Sequence, residues 1–410
     1  MAFHFSRDTK VFMKWHASAS GTDDALYEIP VLDGFSFSQA TNTSEITLSE
    51  AADGSNLNSK RGRAMFNDSY APAEWSFSTY MRPSTSDSSD TYTIAGGEGS
   101  HAGNEKKFAV EGPLWGAMSA TTYNLAVGGT GAPTLASFEP NVFNFQNSNK
   151  VALGVFDLFF VMGAAKDDDV STYDTSAGGD VTIYKISDCS VGSASIDFDI
   201  EGLAQVNWSG QGKLITEVAQ LNTAAGGTTT KGLINEGISS TSNFVRQKLT
   251  SMTLAFDASA STGTDGTHPT SYNLVLTGGN ITIENNLTYL TPETLGVVNQ
   301  PLGHVMGTRS VSGNFTCYLN TVNDGSAELF ENLIEATGQI SPAFDLDFHI
   351  GGAGQTPRVS VSVPKAHLEL PTHSIEDVVS LDVAFHGLPS DLSSSTASSS
   401  ANEISLTYVS

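Results

Sequence analysis

The chain has 410 residues, of which 39% are hydrophobic and 15% charged, and its formal net charge is −25. This composition excludes a disordered chain, which would have fewer apolar residues or far more charge. The excess of acidic residues, 44 Asp and Glu against 19 Lys and Arg, excludes a basic nucleic-acid-binding module and a polybasic membrane anchor, because both need clustered cations.

Cysteine usage and the N-terminus favour a protein made in the cytoplasm. Two cysteines exclude a disulfide scaffold and a four-cysteine zinc site, and we interpret Cys189 and Cys317 as buried thiols rather than a bridge. The first eight residues have neither the basic start nor the apolar core of a signal peptide. The most apolar run, 151–165, is too short to span a bilayer, so we expect a soluble chain.

Short blocks of the first half recur, in the same order, in the second half, which predicts a tandem duplication. Six ordered matches are hard to attribute to chance even in a chain rich in Ser, Thr and Gly. The blocks are TKVFMKWHASASGTD at 9–23 with MTLAFDASASTGTD at 252–265, YEIPVL at 27–32 with YNLVLT at 272–277, FSTYM at 77–81 with FTCYL at 315–319, WGAMSAT at 115–121 with ENLIEAT at 331–337, VFDLFFVMGAA at 155–165 with AFDLDFHIGGA at 343–353, and QVNWSGQG at 205–212 with DVAFHGLP at 382–389.

The matches define two modules and pair their large apolar residues. The first module covers 1–222, a linker covers 223–240, and the second module covers 241–410 with a Ser-rich C-terminal tail. The first is longer through insertions at about 83–105, 123–150 and 166–180, which we expect on the outer surface. The equivalent core positions are Trp15 and Phe256, Phe77 and Phe315, Phe156 and Phe344, and Trp208 and Phe385.

Each module is predicted to consist of antiparallel strands with one helix. Apolar and polar residues alternate in most repeated blocks, as in the run from Phe35 to Ser38, and this period indicates strands with one dry face. A helical stripe begins near Glu328 and ends before Gly338, and its counterpart begins near Pro113. The predicted fold is therefore mainly β, with two tandem β-sandwich or barrel modules that each have a flanking α-helix.

Two long connections, 41–70 and 286–310, are candidate functional loops, because segments of this length in a compact domain are usually either functional or disordered. The basic patch at 60–63 in the first connection is either a contact to an acidic copy of the same chain or a solvated loop. The candidate residues in the two connections are Glu45, Glu50, Asp53, Lys60, Arg61, Arg63, Met65, Phe66, Glu293, His304 and Arg309.

No constellation of residues in the sequence points to catalysis. The nine histidines lack the spacing of a metal site, and no nucleophile elbow, phosphate-binding loop or H-E-x-x-H motif is present. We therefore predict no enzymatic activity, no catalytic or metal-binding residue and no cofactor. A large acidic chain built from two copies of a β module is instead typical of a structural building block.

The pattern resembles the tail tube proteins of long-tailed bacteriophages, of the type with a duplicated module. The resemblance rests on YEIPVLDGFSFSQATNTSEITLSE at 27–50, with its long polar loop, and on the returning strand EWSFSTYM at 74–81. It also rests on the single helix and on the closing hairpin ASIDFDIEGLAQVNWSGQGK at 194–213. Both copies, and hence most of the chain, take part in it.

The resemblance implies that three chains form a pseudo-hexameric ring and that rings stack into a hollow conduit for DNA ejection into the host. The long connections would make the contacts between rings, and DNA would pass without specific binding along an inner wall that we expect to be electronegative. The implied partners are further copies of the chain, the tape measure, tail terminator and distal tail proteins, and a sheath if the tail is contractile. The location would be the virion tail, assembled in the bacterial cytoplasm.

Two other functions and one structural question stay open at this point. The same fold would serve as the tube of a phage-derived injection particle, and a carbohydrate-binding or adhesive pair of β modules would show exposed aromatic triads. The alternating segment at 403–409 is predicted to be a strand, which pairs either with its own sheet or with a neighbouring subunit.

Overall fold

The structure is a computed structural model that describes most of the chain. The described residues are 4–15, 25–46, 64–86, 91–94, 97–100, 106–119, 141–146, 153–163, 172–175, 181–222, 233–234, 243–257, 262–263, 268–295, 297–335, 339–341, 343–375, 377–389 and 402–410.

The described residues form two α-helices, two short 3-10 turns and thirty strands. The helices are α1 (Gly112–Ser119) and α2 (Ser326–Glu335), and the turns are Ser6–Asp8 and Gln247–Leu249. The strands are β1 Thr9–Trp15, β2 Ala25–Ile29, β3 Ser36–Ser38, β4 Thr41–Ile46, β5 Ala64–Tyr70, β6 Ala73–Tyr80, β7 Pro83–Ser86, β8 Thr91–Ile94, β9 Gly97–Ser100, β10 Lys106–Ala109, β11 Val142–Gln146, β12 Phe156–Met162, β13 Thr172–Asp174, β14 Thr182–Phe198, β15 Gln205–Gly212, β16 Leu214–Glu217, β17 Gln220–Asn222, β18 Leu233–Ile234, β19 Ser251–Phe256, β20 Thr262–Gly263, β21 Val275–Glu284, β22 Leu287–Leu290, β23 Gly303–Met306, β24 Ser310–Tyr318, β25 Gln339–Ser341, β26 Phe344–Ile350, β27 Arg358–Leu368, β28 Thr372–Ile375, β29 Val379–Gly387 and β30 Asn402–Val409.

The predicted mainly β fold and both predicted helices are confirmed. Strand β6 shows why the alternating blocks form strands, because every second residue from Ala73 to Thr79 is buried and those between them are exposed or half-buried. Helix α1 is buried on all sides, whereas α2 buries Leu329 and packs Leu333 against the core. No helix in the described part of the chain is long and apolar enough to cross a membrane.

One long strand in the first half connects two sheets. The first part of β14 pairs with β12 and β16, and the second part pairs with β15. Strands β1 and β2 extend the sheet beyond β12, and β6 and β3 extend the sheet beyond β15. The two sheets face a common apolar core without closing into a barrel.

One long strand in the second half has a comparable set of neighbours. Strand β27 pairs first with β26 and β30 and then with β29, as β14 does with its neighbours. Strand β19 extends the sheet beyond β26, and β24 and β21 extend the sheet beyond β29. The C-terminal strand β30 thus lies beside β27 where β16 lies beside β14.

The C-terminal strand pairs with its own chain, which answers the question left open by the sequence. It lies between β27 and β11, and its residues Ile404, Leu406 and Tyr408 are buried. Strand β11 belongs to the predicted insertion 123–150, yet Phe143 and Phe145 are buried beside α1. This part of the insertion is therefore core rather than surface decoration.

A buried polar cluster fixes the C-terminal strand. The Tyr408 hydroxyl donates a hydrogen bond to the Glu111 carboxylate at 2.5 Å and accepts one from the Trp115 indole nitrogen at 2.7 Å. The Glu111 carboxylate also accepts a hydrogen bond from the Arg82 backbone N–H at 3.2 Å. Burial raises the pKa of Glu111 to about 7, although these hydrogen bonds and the charge of Arg82 act in the opposite direction.

Stability is expected to fall as pH rises through the range in which Glu111 titrates. Because the pKa of Glu111 is about 7 in the folded chain and about 4.3 in the unfolded chain, the folded state binds more protons between these values. The stabilising contribution of the protonated Glu111 carboxyl is therefore complete below the lower pKa and is lost as pH approaches neutrality. Thermal melting of the wild type between pH 5 and 7.5 measures this loss. The Glu111→Gln variant should not show this loss of stability. A variant whose melting temperature depends on pH as strongly as that of the wild type would contradict the role given to Glu111.

Candidate assembly surfaces

One polar sheet runs through both halves of the chain. Its eight strands are all antiparallel and lie in the order β28, β29, β24, β21, β14, β15, β6 and β3. The pairing of β14 with β21, from Ser193 opposite Glu284 to Phe198 opposite Gly279, joins the two halves. Only the second part of β14 takes part in this sheet.

One face of the eight-stranded sheet covers the core, and the other is lined by small polar side chains. Hydrogen bonds cross this polar face from strand to strand, for example between the hydroxyls of Ser193 and Ser209 at 2.8 Å. Further bonds link Ser78 with Asn207 at 2.6 Å and Asn314 with Asp382 at 3.0 Å. Such a face is suited to contact with water, because its polar groups are satisfied without being buried.

The polar face is acidic. The eight strand segments contain no lysine or arginine. Four exposed carboxylates, those of Glu74, Asp197, Glu284 and Asp382, lie on this face together with His386. The exposed side chains of this face therefore carry a net negative charge.

The two outermost strands of this sheet have unpaired edges. Within the described residues β28 pairs only with β29, and β3 pairs only with β6. All four residues of β28 are exposed, including Ile375, which is 81% exposed. An exposed strand edge with an apolar side chain is a site for pairing with another chain.

The second long connection reaches across the first half of the chain. It forms the hairpin β22–β23, from which the Tyr289 hydroxyl donates to the Asp188 carbonyl at 2.8 Å and lies 3.0 Å from the Gln211 carbonyl. His304 lies 3.2 Å from the Ser190 hydroxyl, and burial lowers its pKa. His304 is therefore held within the chain.

The first long connection forms the hairpin β4–β5 and lies beside the second connection. The Tyr70 backbone N–H donates to the Asn299 carbonyl at 2.8 Å, and the Asn299 N–H donates to the Asp68 carbonyl at 3.1 Å. Both connections present apolar side chains to solvent. These exposed side chains are Met65, Phe66, Leu290, Leu295, Val297, Val298, Leu302 and Val305.

The residues predicted for these connections fall into three groups: exposed residues, a buried residue, and residues outside the described part of the chain. Met65, Phe66, Glu45 and Glu293 are exposed on them. Arg309 is buried, and its guanidinium lies 3.4 Å from the Glu403 carboxylate of the C-terminal strand. Arg309 therefore stabilises the chain itself and is not available to a neighbouring ring. Glu50, Asp53, Lys60, Arg61 and Arg63 lie outside the described residues.

The exposed aromatic residues do not match an adhesive surface. In the described residues the aromatic side chains with large exposure are Phe5, Phe66 and Tyr318. Phe5 precedes the first turn, Phe66 lies on β5 and Tyr318 lies on β24. A carbohydrate-binding module pair was expected to present such residues as triads.

Sequence reasoning missed the two unpaired edges and the residues on them. Ile375 lies in a short segment without a counterpart among the six repeated blocks, so its register with the first half was not visible. The signal was nevertheless present in the polar run at 372–374 that ends in an isolated isoleucine.

Comparison with known proteins concerns the chain as a whole. No protein-family profile matches the chain. Over 395 residues the chain is 28% identical to the tail tube protein pb6 of Escherichia phage T5, an alignment that covers 96% of this chain and 74% of the relative. The resemblance to phage tail tube proteins predicted from the sequence is thus confirmed by a relative that aligns with nearly the whole chain.

Proposed function

We propose that the protein is the structural subunit of a phage tail tube, in which three chains form a pseudo-hexameric ring and rings stack into a conduit for DNA. The observation that carries the proposal is the polar eight-stranded sheet, whose two outermost strands each have one edge without a partner among the described residues, in a chain similar to a tail tube protein over 96% of its length. The subunit is accordingly a virion component and has no enzymatic role.

Matching strand registers support the duplication on which the six-module ring depends. Trp15 lies opposite Phe156 in the β1–β12 pair, and Phe256 lies opposite Phe344 in the β19–β26 pair. These are the equivalent positions predicted from the sequence. The pairing of β12 with β14 shifts register just after Phe156, and the pairing of β26 with β27 shifts just after Phe344.

The registers extend this equivalence across the polar sheet. Phe156 lies opposite Cys189, and Phe344 lies opposite Ala366, so Cys189 corresponds to Ala366. Following the registers to the next strands, Gly210 on β15 corresponds to Phe385 on β29. Trp208 is therefore aligned with Val383 rather than with Phe385, a shift of two residues from the sequence match.

In the next strand pair the register equivalence agrees again with the match between the sequence blocks. Phe77 lies opposite Trp208, and Phe315 lies opposite Val383, so Phe77 and Phe315 remain equivalent. Each half thus contributes four strands in the same order to the eight-stranded sheet.

Ring closure supplies partners for the unpaired edges. Head-to-tail association of three chains would join about 24 strands, and at about 4.8 Å between strands the wall would be roughly 37 Å across before strand tilt widens it. Such a wall leaves room for a DNA duplex. The acidic polar face would line the lumen and repel the phosphates of the passing DNA.

The exposed apolar side chains of the two hairpins supply a contact between rings. Met65 is 62% exposed and Leu295 is 100% exposed, and burial of such side chains against an adjacent ring would favour stacking. The tape measure, tail terminator and distal tail proteins, with a sheath in a contractile tail, are the partners proposed for the ends and the surroundings of this tube.

Electron microscopy of the purified protein, together with its mass by light scattering, tests this function. We expect rings or hollow tubes with three chains in each layer. A protein that stays at the 43.1 kDa of one chain at all concentrations and salt conditions would overturn the proposal.

A further inference from the structure

The joint between the two halves of the chain shows how two modules associate edge to edge. At this joint β14 of the first half pairs with β21 of the second half, with Ile196 opposite Ile281 and Phe198 opposite Gly279. The two strands run antiparallel to each other, and each also pairs with a strand of its own half. The register of this joint can therefore be used to assign the contact that the two unpaired edges would make with another chain.

The strand registers identify which residues at the free edges correspond to this joint. On one side, Ile196 lies opposite Val206 and His373 lies opposite Leu381. Because Val206 and Leu381 are equivalent by the registers given above, His373 corresponds to Ile196. It follows that Ile375 corresponds to Phe198.

The other free edge is assigned in the same way. Phe37 lies opposite Trp75, and Ile281 lies opposite Gly313. Trp75 and Gly313 are equivalent, since they lie opposite Gly210 and Phe385. Phe37 therefore corresponds to Ile281. Continuing this register to the residue just before β3 places Phe35 at the position of Gly279.

We infer that β28 of one chain pairs antiparallel with β3 of a second copy, with Ser374 opposite Ser36 and Thr372 opposite Ser38. The inference rests on the ring proposed above and specifies its chain-to-chain contact. The partner is a second copy of this chain.

The side chains at this contact fit the assigned register. Ser36 and Ser38 are exposed on the polar face, where their neighbours on β6 are Ser76 and Glu74. Ser374 lies opposite Ser380 on the same face of β29. A slip by one residue would turn these serines to the core face, so the match of polar with polar residues favours the assigned register.

On the apolar side of the contact the assigned register places one apolar side chain opposite another. Within the chain the ring of Phe198 covers Gly279 and is 3% exposed. At the free edges the equivalent pair is Ile375 and Phe35, so a smaller side chain faces a larger one. The assigned register would cover Ile375, which is 81% exposed in the single chain.

Double cysteine variants test the register, because the two native cysteines are free and fully buried. Residues directly opposite in an antiparallel pair have Cα atoms about 4.5–5.5 Å apart, within disulfide range, whereas diagonal pairs lie beyond about 7 Å. The in-register variants are Ser36→Cys with Ser374→Cys, and Ser38→Cys with Thr372→Cys. The matched controls exchange the partners, Ser36→Cys with Thr372→Cys, and Ser38→Cys with Ser374→Cys.

After mild oxidation of assembled protein, we expect the in-register variants to migrate on a denaturing gel mainly as covalent trimers, and the controls mainly as single chains. Rings that form without cross-links, or that cross-link through the exchanged pairs, would overturn the register but leave the ring in place. Protein that forms neither rings nor cross-links would overturn the ring, and the register with it.

Discussion

Replacement of Ile375 by aspartate is expected to abolish ring formation while the single chain stays folded. Ile375 is 81% exposed at the free edge of β28, so the substitution removes little packing within the chain. In the ring the aspartate would face the neighbouring Phe35, and a carboxylate buried against an aromatic ring without a partner is strongly unfavourable. Light scattering should show the mass of one chain, and the melting temperature of the dissociated chain should stay close to that of unassembled wild type.

The substitution Val142→Asp is the matched control for Ile375→Asp. Val142 is also an exposed aliphatic residue on a strand, at 43% exposure. Its strand β11 pairs with β30, which lies outside the eight-stranded sheet. We expect this variant to assemble like the wild type. Rings formed equally well by Ile375→Asp would show that the β28 edge lies outside the chain-to-chain contact.

Replacement of Gly313 by alanine is expected to destabilise the chain by about 3 kcal/mol, at the upper end of the usual cost of overpacking. A Cβ atom at this position would lie 2.1 Å from the Asn280 carbonyl oxygen and 2.7 Å from the Phe385 ring. The close backbone atom belongs to the neighbouring strand, so relief requires separation of two strands of the polar sheet. Thermal melting of the variant measures the loss.

The matched control is Gly303→Ala, because a Cβ atom at Gly303 would have no neighbour within 4 Å. We expect the free energy of unfolding of this variant to stay within about 0.5 kcal/mol of that of the wild type, as is usual for surface substitutions. Equal destabilisation by both substitutions, or a neutral Gly313→Ala, would contradict the close packing assigned to Gly313.

In each half of the chain the polar sheet packs an aromatic ring over a glycine. In the second half Gly313 lies opposite Phe385, whereas in the first half Trp75 lies opposite Gly210. The aromatic ring and the glycine have exchanged strands, and the ring fills the space above the glycine in both cases. Under the proposed equivalence of the two halves Trp208 corresponds to Val383, whereas the match between the sequence blocks pairs Trp208 with Phe385.

The elements that were predictable from the sequence are those with strong local patterns. The alternation of Val359 to Val363 and the stripe around Leu329 each fix the type of element through burial of one face. The strand that contains Phe156 was likewise predictable, because it is nearly all buried and tolerates few residue types.

The features that escaped prediction depend on contacts between distant segments. The position of β30 between β27 and β11 depends on partners more than 40 residues away, and no local pattern encodes it. The burial of Arg309 likewise depends on Glu403, which is brought near by that same strand. The free edges of β3 and β28 became visible only from the order of strands in the sheet.

Cryo-electron microscopy of the assembled protein tests the central claim most directly, because it counts chains and strands in each ring. We predict three chains in each ring, a continuous β wall with approximate six-fold symmetry, and the acidic polar face turned toward the lumen. Rings of six chains, or a ring with the polar face turned outward, would contradict this account.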